Sequence, residues 1–171
     1  IWVRNAYSGG FKSVVRPGTD EHAKDFIQRI EADIAWYRRL FRSTVLAVSV
    51  HGRELRGSEL DVSDYYFLGG ANTLRGYREE QFAGSRTAWA NLECRYLFAS
   101  RSNVYAFFDF GYVFLAGDSG KQREEFRILR DGYGIGVRLE TVVGIFSVSY
   151  ALGKGDAVSN GKIHFGIENT F

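Results

Sequence analysis

The chain has 171 residues, and its 22 basic and 20 acidic side chains are well mixed, without the basic cluster of a nucleic-acid-binding protein. Aromatic residues make up 16% of the chain, which has 20 glycines but one proline, a composition that suits many strands joined by turns. No apolar run reaches the roughly 18 residues of a helical membrane span, whereas a barrel strand needs only about 9–11 residues of alternating polarity.

The first three predicted strands begin near residues 1, 24 and 43. The strand over 1–12 is weakly patterned, and the strand over 44–53 alternates clearly between apolar and polar side chains. Residues 25–40 allow two interpretations. Apolar side chains spaced three and four residues apart suit an amphipathic helix, whereas acidic side chains alternate with apolar ones as in a strand. We predict a strand, because a lone helix would interrupt an otherwise continuous meander.

A long connection, at about residues 55–87, separates the third predicted strand from the fourth. Connections longer than about 15 residues are uncommon and are usually functional or disordered. This segment is not of low complexity, so we predict that it has a function.

Five further strands are predicted to begin near residues 88, 103, 131, 144 and 161, each alternating apolar with polar or glycine residues. Glu93 and Asp109 fall on the polar face. Short and long connections alternate, as they do on the two sides of a membrane barrel. The sequence therefore predicts an all-β fold: a single antiparallel transmembrane β-barrel domain over 1–171, with about eight strands and one long lumen or extracellular loop.

No residue pattern predicts an active site or a metal centre. His22, His51 and His164 are far apart, and neither Ser147 nor Ser149 has a nearby histidine and carboxylate to activate it. We therefore expect no enzyme activity, cofactor, metal or nucleic-acid partner. Three glycines at alternate strand positions indicate a smooth wall or a bend rather than a phosphate-binding loop: Gly132, Gly134 and Gly136.

Within the long connection, residues 65–77 read Tyr-Tyr-Phe-Leu-Gly-Gly-Ala-Asn-Thr-Leu-Arg-Gly-Tyr. This segment closely resembles the signature of the BamA family of outer-membrane barrels, which includes TamA and the two-partner secretion transporters. In that family a Gly-Gly pair precedes a Val-Arg-Gly-Phe/Tyr tetrad on a long extracellular loop that folds back into the lumen. The matching pair and tetrad, which differs conservatively at its first position, are Gly69 and Gly70, then Leu74, Arg75, Gly76 and Tyr77.

Two strand motifs and the end of the chain extend the resemblance. Glu93 matches an acidic position of the family, and Asp109 with Gly111 matches its Asp-x-Gly motif. The resemblance implies that the loop arginine, Arg75, lies against these two lumen carboxylates. The last strand resembles the family's terminal β-signal at two positions, Gly166 and Phe171, although Asn169 stands where an apolar residue is usual.

The resemblance is specific over residues 65–171 and implies a barrel of the bacterial outer membrane that assembles and inserts proteins or secretes them. The implied partners are outer-membrane lipid and unfolded outer-membrane or secreted proteins. Family barrels have twice as many strands and carry periplasmic POTRA domains. The resemblance therefore places the N-terminal half of the barrel and these domains outside this chain, or a second copy in their place.

Several alternatives stay open at this point. The chain is a fragment of a larger barrel, as its lack of methionine also indicates, or eight strands that close on themselves, or half of a dimer, in that order of preference. Assembly and secretion are not distinguished by the tetrad. A small barrel with a structural role would not need the long loop. A membrane anchor for a patatin-like lipase would require a Gly-x-Ser-x-Gly motif, which this sequence does not contain.

Overall fold

The computed structural model describes residues 1–15, 22–58, 60–117 and 124–168. These ranges contain ten strands and two 3-10 helices, at Val62–Asp64 and Val158–Asn160. The strands are β1 (Trp2–Val15), β2 (His22–Phe41), β3 (Thr44–Arg56), β4 (Tyr66–Leu68), β5 (Phe82–Gly84), β6 (Arg86–Leu97), β7 (Asn103–Leu115), β8 (Phe126–Thr141), β9 (Gly144–Gly153) and β10 (Lys162–Glu168).

Eight strands form one antiparallel sheet in the order β1-β2-β3-β6-β7-β8-β9-β10. The predicted all-β fold and the eight barrel strands are thus confirmed. The strand interpretation of residues 25–40 is also confirmed, because they lie in β2. Pairing with β1 on one side and β3 on the other satisfies the backbone of β2, which the local helix-like spacing could not reveal.

Three strand starts differ by two or more residues from the predicted ones, including that of β2, which lies at His22 rather than near 24. β8 begins at Phe126 rather than near 131, and β6 begins at Arg86 rather than near 88. The connection between β3 and β6 therefore occupies 57–85 instead of 55–87. Pairing continues up to Glu54 and Arg86, whose side chains form a 3.0 Å ion pair across the two strands. The sequence-based boundaries were too short here because charged residues occupy these strand ends, and such residues are also typical of loops.

The sheet has an inner face, defined as the face that the connection 57–85 contacts, and an opposite outer face. Apolar side chains of the outer face are widely exposed, among them Phe108 at 46%, Ile135 at 66% and Phe165 at 72%. Soluble proteins rarely expose such a continuous apolar surface, whereas the lipid-facing band of a membrane barrel consists of one. No helix among the described residues is long and apolar enough to span a membrane.

Strands β1 and β10 lie at the two ends of the sheet, and within the described ranges they do not pair with each other. The sheet is therefore open in the described part of the chain. Each terminal strand presents one edge of backbone N–H and C=O groups without a strand neighbour there.

The connection 57–85 has secondary structure of its own, which the sequence did not predict. β4 and β5 pair as a short antiparallel hairpin that brings the two ends of the segment 69–81 together. A small apolar core holds the base of this hairpin to the sheet through Ile27, Leu55, Tyr65 and Leu115. The segment 69–81 consequently starts and ends beside the inner face.

Candidate functional site

The glycine pair Gly69-Gly70 turns the chain before the tetrad. Their φ angles of +121° and +98° lie in a region that residues with a side chain rarely adopt. The Gly69 N–H donates to the Thr73 hydroxyl oxygen at 2.9 Å, and the Gly70 N–H donates to the Leu74 carbonyl at 3.1 Å. This closed turn aims Leu74 and the residues after it at the inner face.

Arg75 enters the sheet between two carboxylates. Its Nε and Nη2 donate to the two oxygens of Asp109, each at 2.7 Å, and its backbone N–H donates to Asp109 Oδ2 at 3.0 Å. Its Nη1 donates to Glu93 Oε1 at 2.6 Å. All three side chains are buried. Charge-assisted bonds of this forked kind fix both position and orientation, which a lysine ammonium cannot do.

The two carboxylates have different further partners. Asp109 Oδ1 also accepts from the Asn91 amide at 2.8 Å, and the same amide nitrogen donates to the Thr73 carbonyl of the loop. Glu93 accepts from Arg95 at 2.8 Å and from Arg138 at 2.8 and 3.0 Å. Glu93 therefore keeps two cationic partners on the sheet itself, whereas Asp109, within the described residues, depends on the loop for its cation.

Arg75 stays charged in this setting. Burial disfavours the charged guanidinium, but the hydrogen bonds and the negative charges of Asp109 and Glu93 outweigh it and raise the pKa of Arg75 above its ordinary value. The cation in the loop is therefore permanent.

Leu74 and Gly111 fit each other. Leu74 is 1% exposed, and a Cβ at Gly111 would lie 2.9 Å from Leu74 Cδ2. The glycine of the Asp-x-Gly motif thus leaves room on β7 for the first side chain of the tetrad.

Gly76 and Tyr77 reach the other side of the site. Gly76 has φ +91°, and a Cβ there would lie 2.6 Å from the Leu152 carbonyl carbon, so its backbone lies flat against β9. Its N–H donates to Nε2 of His164 at 3.0 Å. The Tyr77 hydroxyl donates to the Asp131 carbonyl and accepts from the N–H of Lys154, both at 2.9 Å.

The tetrad Leu74–Tyr77 therefore connects five neighbouring strands. Arg75 bonds β6 and β7, Tyr77 bonds β8, and Gly76 contacts β9 and bonds β10. Four consecutive loop residues thus contact the inner face of five strands that are already paired with one another in the sheet.

The structure brings the predicted loop and strand residues into one site, whereas the predicted terminal signal is described only in part. Gly166 lies in β10, where a Cβ would be 2.5 Å from the hydroxyl oxygen of Ser147 in β9. This glycine therefore leaves room for the serine side chain between the last two strands. Phe171 lies outside the described residues, so its part in a terminal β-signal stays a prediction.

Sequence reasoning missed several residues that complete the site. His164, Arg138 and Gly132 all fell on the predicted polar face, so alternation gave their side but not their depth or their contacts. A Cβ at Gly132 would meet the carbonyl oxygen of Arg75, which makes this glycine part of the docking surface rather than only a smooth wall or a bend.

A polar cavity of about 200 Å³ lies beside the docked tetrad. Its lining includes Arg95, Arg138, Ser149 and Gly166. Among the described residues, no group of three or more histidine, cysteine or acidic side chains is placed to hold a metal ion.

An antiparallel sheet with an apolar outer face, and a long connection docked on its polar inner face, defines the wall of a transmembrane β-barrel with a loop in its lumen. The sequence profile of the Omp85 superfamily domain matches residues 9–171. The chain belongs to the Omp85 superfamily, whose members are outer-membrane proteins of Gram-negative bacteria that insert or translocate proteins. The predicted family is thus confirmed at the level of the superfamily. A search of curated proteins found no match to the chain.

Proposed function

We propose that this chain forms the loop-bearing wall of an outer-membrane barrel that inserts or translocates unfolded proteins, and that Arg75 holds the loop inside the lumen. The observation that carries the proposal is the buried set of bonds from Arg75 to Asp109 and Glu93. The superfamily match supports the general activity, and the contacts of the tetrad support the role of the loop.

The two carboxylates contribute unequally to holding the loop. If Arg75 leaves, Glu93 retains Arg95 and Arg138, whereas Asp109 retains, among the described residues, the neutral amide of Asn91. Removing one partner of a buried ion pair typically costs about 3–5 kcal/mol, because the other charge stays buried without compensation. Asp109 is therefore the main electrostatic reason for the loop to stay docked.

We also propose that the eight strands belong to a larger barrel. Side chains alone fill the interior of a closed eight-stranded barrel, whereas the inner face here carries the connection 57–85 as well. The edges of β1 and β10 require strand partners, since open edges are unstable in lipid. Further strands preceded by POTRA domains, or a second copy of the chain, would supply these partners. The apolar outer face would contact outer-membrane lipid.

The functional proposal is tested with full-length protein reconstituted in lipid vesicles and given an unfolded outer-membrane barrel as substrate. Arg75→Ala should abolish most of the insertion or translocation rate. Arg75→Lys should restore little of it, because an ammonium lacks the planar fork that bonds both oxygens of Asp109 while reaching Glu93. Arg78→Ala is the matched control, because Arg78 is an exposed arginine of the same loop. A folded Arg75→Ala protein with the wild-type rate would overturn the proposal.

The same vesicle assay distinguishes insertion of the substrate from its translocation. A substrate that becomes resistant to extraction from the membrane indicates insertion, whereas a substrate released on the far side indicates secretion. For barrel size, semi-native gel migration of the 171-residue chain, heated against unheated, is decisive. A heat-modifiable band at monomer mass would contradict the larger barrel, and a stable band at twice that mass would favour the second copy.

A further inference from the structure

The imidazole of His164 links the last described strand to the tetrad. His164 lies in β10 and is 8% exposed, and its Nε2 accepts the backbone N–H of Gly76 at 3.0 Å. That N–H is enclosed, because Gly76 lies flat against Leu152 and Gly153 of β9. A buried N–H without an acceptor is costly, and here the acceptor is supplied from a residue 88 positions away in the chain.

This hydrogen bond requires a neutral imidazole. Nε2 can accept only while it carries no proton, and the ring then bears its hydrogen on Nδ1. A protonated imidazole has two N–H donors and no acceptor, so it would oppose the N–H of Gly76. The contact therefore exists in one protonation state of His164 and is lost in the other.

Charged groups of both signs lie near enough to act electrostatically on the ring. Arg75 and Glu79 belong to the loop, Asp109 belongs to β7, and Lys162 belongs to the same strand as His164. On β9 the residue paired with His164 is the uncharged Ser149. Two positive and two negative groups give no dominant ion pair that would hold the imidazole protonated in the docked arrangement.

His51 provides a contrast on the same inner face. Its Nδ1 lies 2.7 Å from Asp33 Oδ1, and its ring stacks on Trp89 of β6. These partners of His51 belong to the sheet, whereas His164 bonds the loop.

We infer that His164 is a positioning residue that ties the loop to β10 while its imidazole is neutral, so that docking of the tetrad and the position of β10 are coupled. Acidification or displacement of β10 then loosens the loop, and release of the loop removes the tie between β10 and the tetrad, which leaves β10 with its pairing to β9. The consequence for insertion or translocation rests on the proposed function, but the coupling itself does not.

The test uses the full-length protein in lipid vesicles, with Cys94→Ala and a nitroxide spin label at the exposed position Asn72. The mobility of the label reports whether the loop is docked. In the otherwise unchanged protein, mobility should rise as the pH falls through the titration of His164. In His164→Gln the loop should stay docked at every pH, because the glutamine amide oxygen accepts a hydrogen bond without titrating.

Two further variants complete the experiment. In His164→Leu the spin label should be mobile at all pH values. Loss of the acceptor for the Gly76 N–H should lower the ratio of docked to released loop on the order of tenfold. His51→Gln is the matched control and should keep the pH profile of the parent protein. If His164→Leu does not fold, the comparison between the parent and His164→Gln still decides the question.

An identical pH profile for the parent and His164→Gln would overturn the inference, as would a label that stays immobile in folded His164→Leu. Failure of the proposed function is recognised separately. In that case Arg75→Ala would retain the insertion or translocation rate, whatever the spin label shows for the His164 variants.

Discussion

The guanidinium carbon of Arg75 lies 3.6 Å from the centre of the Phe107 ring. Phe107 precedes Asp109 by two positions in β7, so both side chains point to the inner face. The ring covers one face of the cation while Asp109 and Glu93 bond its edge. The arginine is thus held by a cation–π contact as well as by ion pairs, and water is kept from one face of the guanidinium.

Replacing Phe107 should weaken docking of the loop without removing a charge. We expect Phe107→Leu to cost about 1–2 kcal/mol, the range for a desolvated cation–π contact. Hydrogen exchange of the loop segment 69–81 measures the loss as faster exchange. The matched control is Phe108→Leu, because Phe108 is the next residue of the strand but lies on the outer face at 46% exposed. Equal exchange in both variants would show that the ring does not support Arg75.

Gly132 is the position where the smallest added side chain should release the tetrad. A Cβ there would meet the carbonyl oxygen of Arg75, a backbone atom that cannot rotate away. We expect Gly132→Ala to destabilise the docked loop by about 1–3 kcal/mol, as overpacking of a filled site does. The measurement is protection of segment 69–81 against hydrogen exchange.

The control for this change is Gly52→Ala. Gly52 is also a strand glycine, in β3, but a Cβ there has no atom within 4 Å. Its exchange pattern should match that of the parent protein. If Gly132→Ala keeps full protection of the loop, the close approach of Arg75 to β8 does not matter for docking.

Much of this architecture follows from alternation along the chain. Period-2 patterning placed most of the eight strands and put Glu93 and Asp109 on the polar face, because one apolar face per strand is what a barrel wall requires, whereas β2 was predicted from its neighbours. The pairing of Arg75 with them was implied only by a family resemblance. The contacts of His164 and Gly132 could not be predicted, because alternation assigns a residue to one face of the sheet but does not show which loop residue contacts it.

A second charged cluster, on β1 to β3, should affect stability without affecting the tetrad. Asp33 lies 2.8 Å from Arg4, 2.7 Å from Arg53 and 2.7 Å from His51. Its carboxylate is buried, so we expect Asp33→Ala to cost about 3–5 kcal/mol of unfolding free energy by leaving the guanidinium groups of Arg4 and Arg53 without it. Thermal unfolding in detergent measures the loss, while hydrogen exchange at segment 69–81 should change little.

Asp61→Ala is the control for that comparison. Asp61 lies 2.6 Å from the Lys12 ammonium, but its side chain is 56% exposed. Surface pairs of this kind contribute about 0–1 kcal/mol, so the unfolding temperature should stay near that of the parent. A comparable loss from Asp33→Ala and Asp61→Ala would mean that burial of the Asp33 cluster adds no stability.

The central proposal is that Arg75 holds the loop against β6 and β7 in the assembled barrel. The most direct measurement is the distance between spin labels at Asn72, in the loop, and Val143, in the exposed turn between β8 and β9, in a Cys94→Ala background. With Arg75 present we predict one narrow distance distribution, and with Arg75→Ala a broad distribution that shifts to longer distances. A distribution that stays narrow and unchanged in Arg75→Ala would contradict the account.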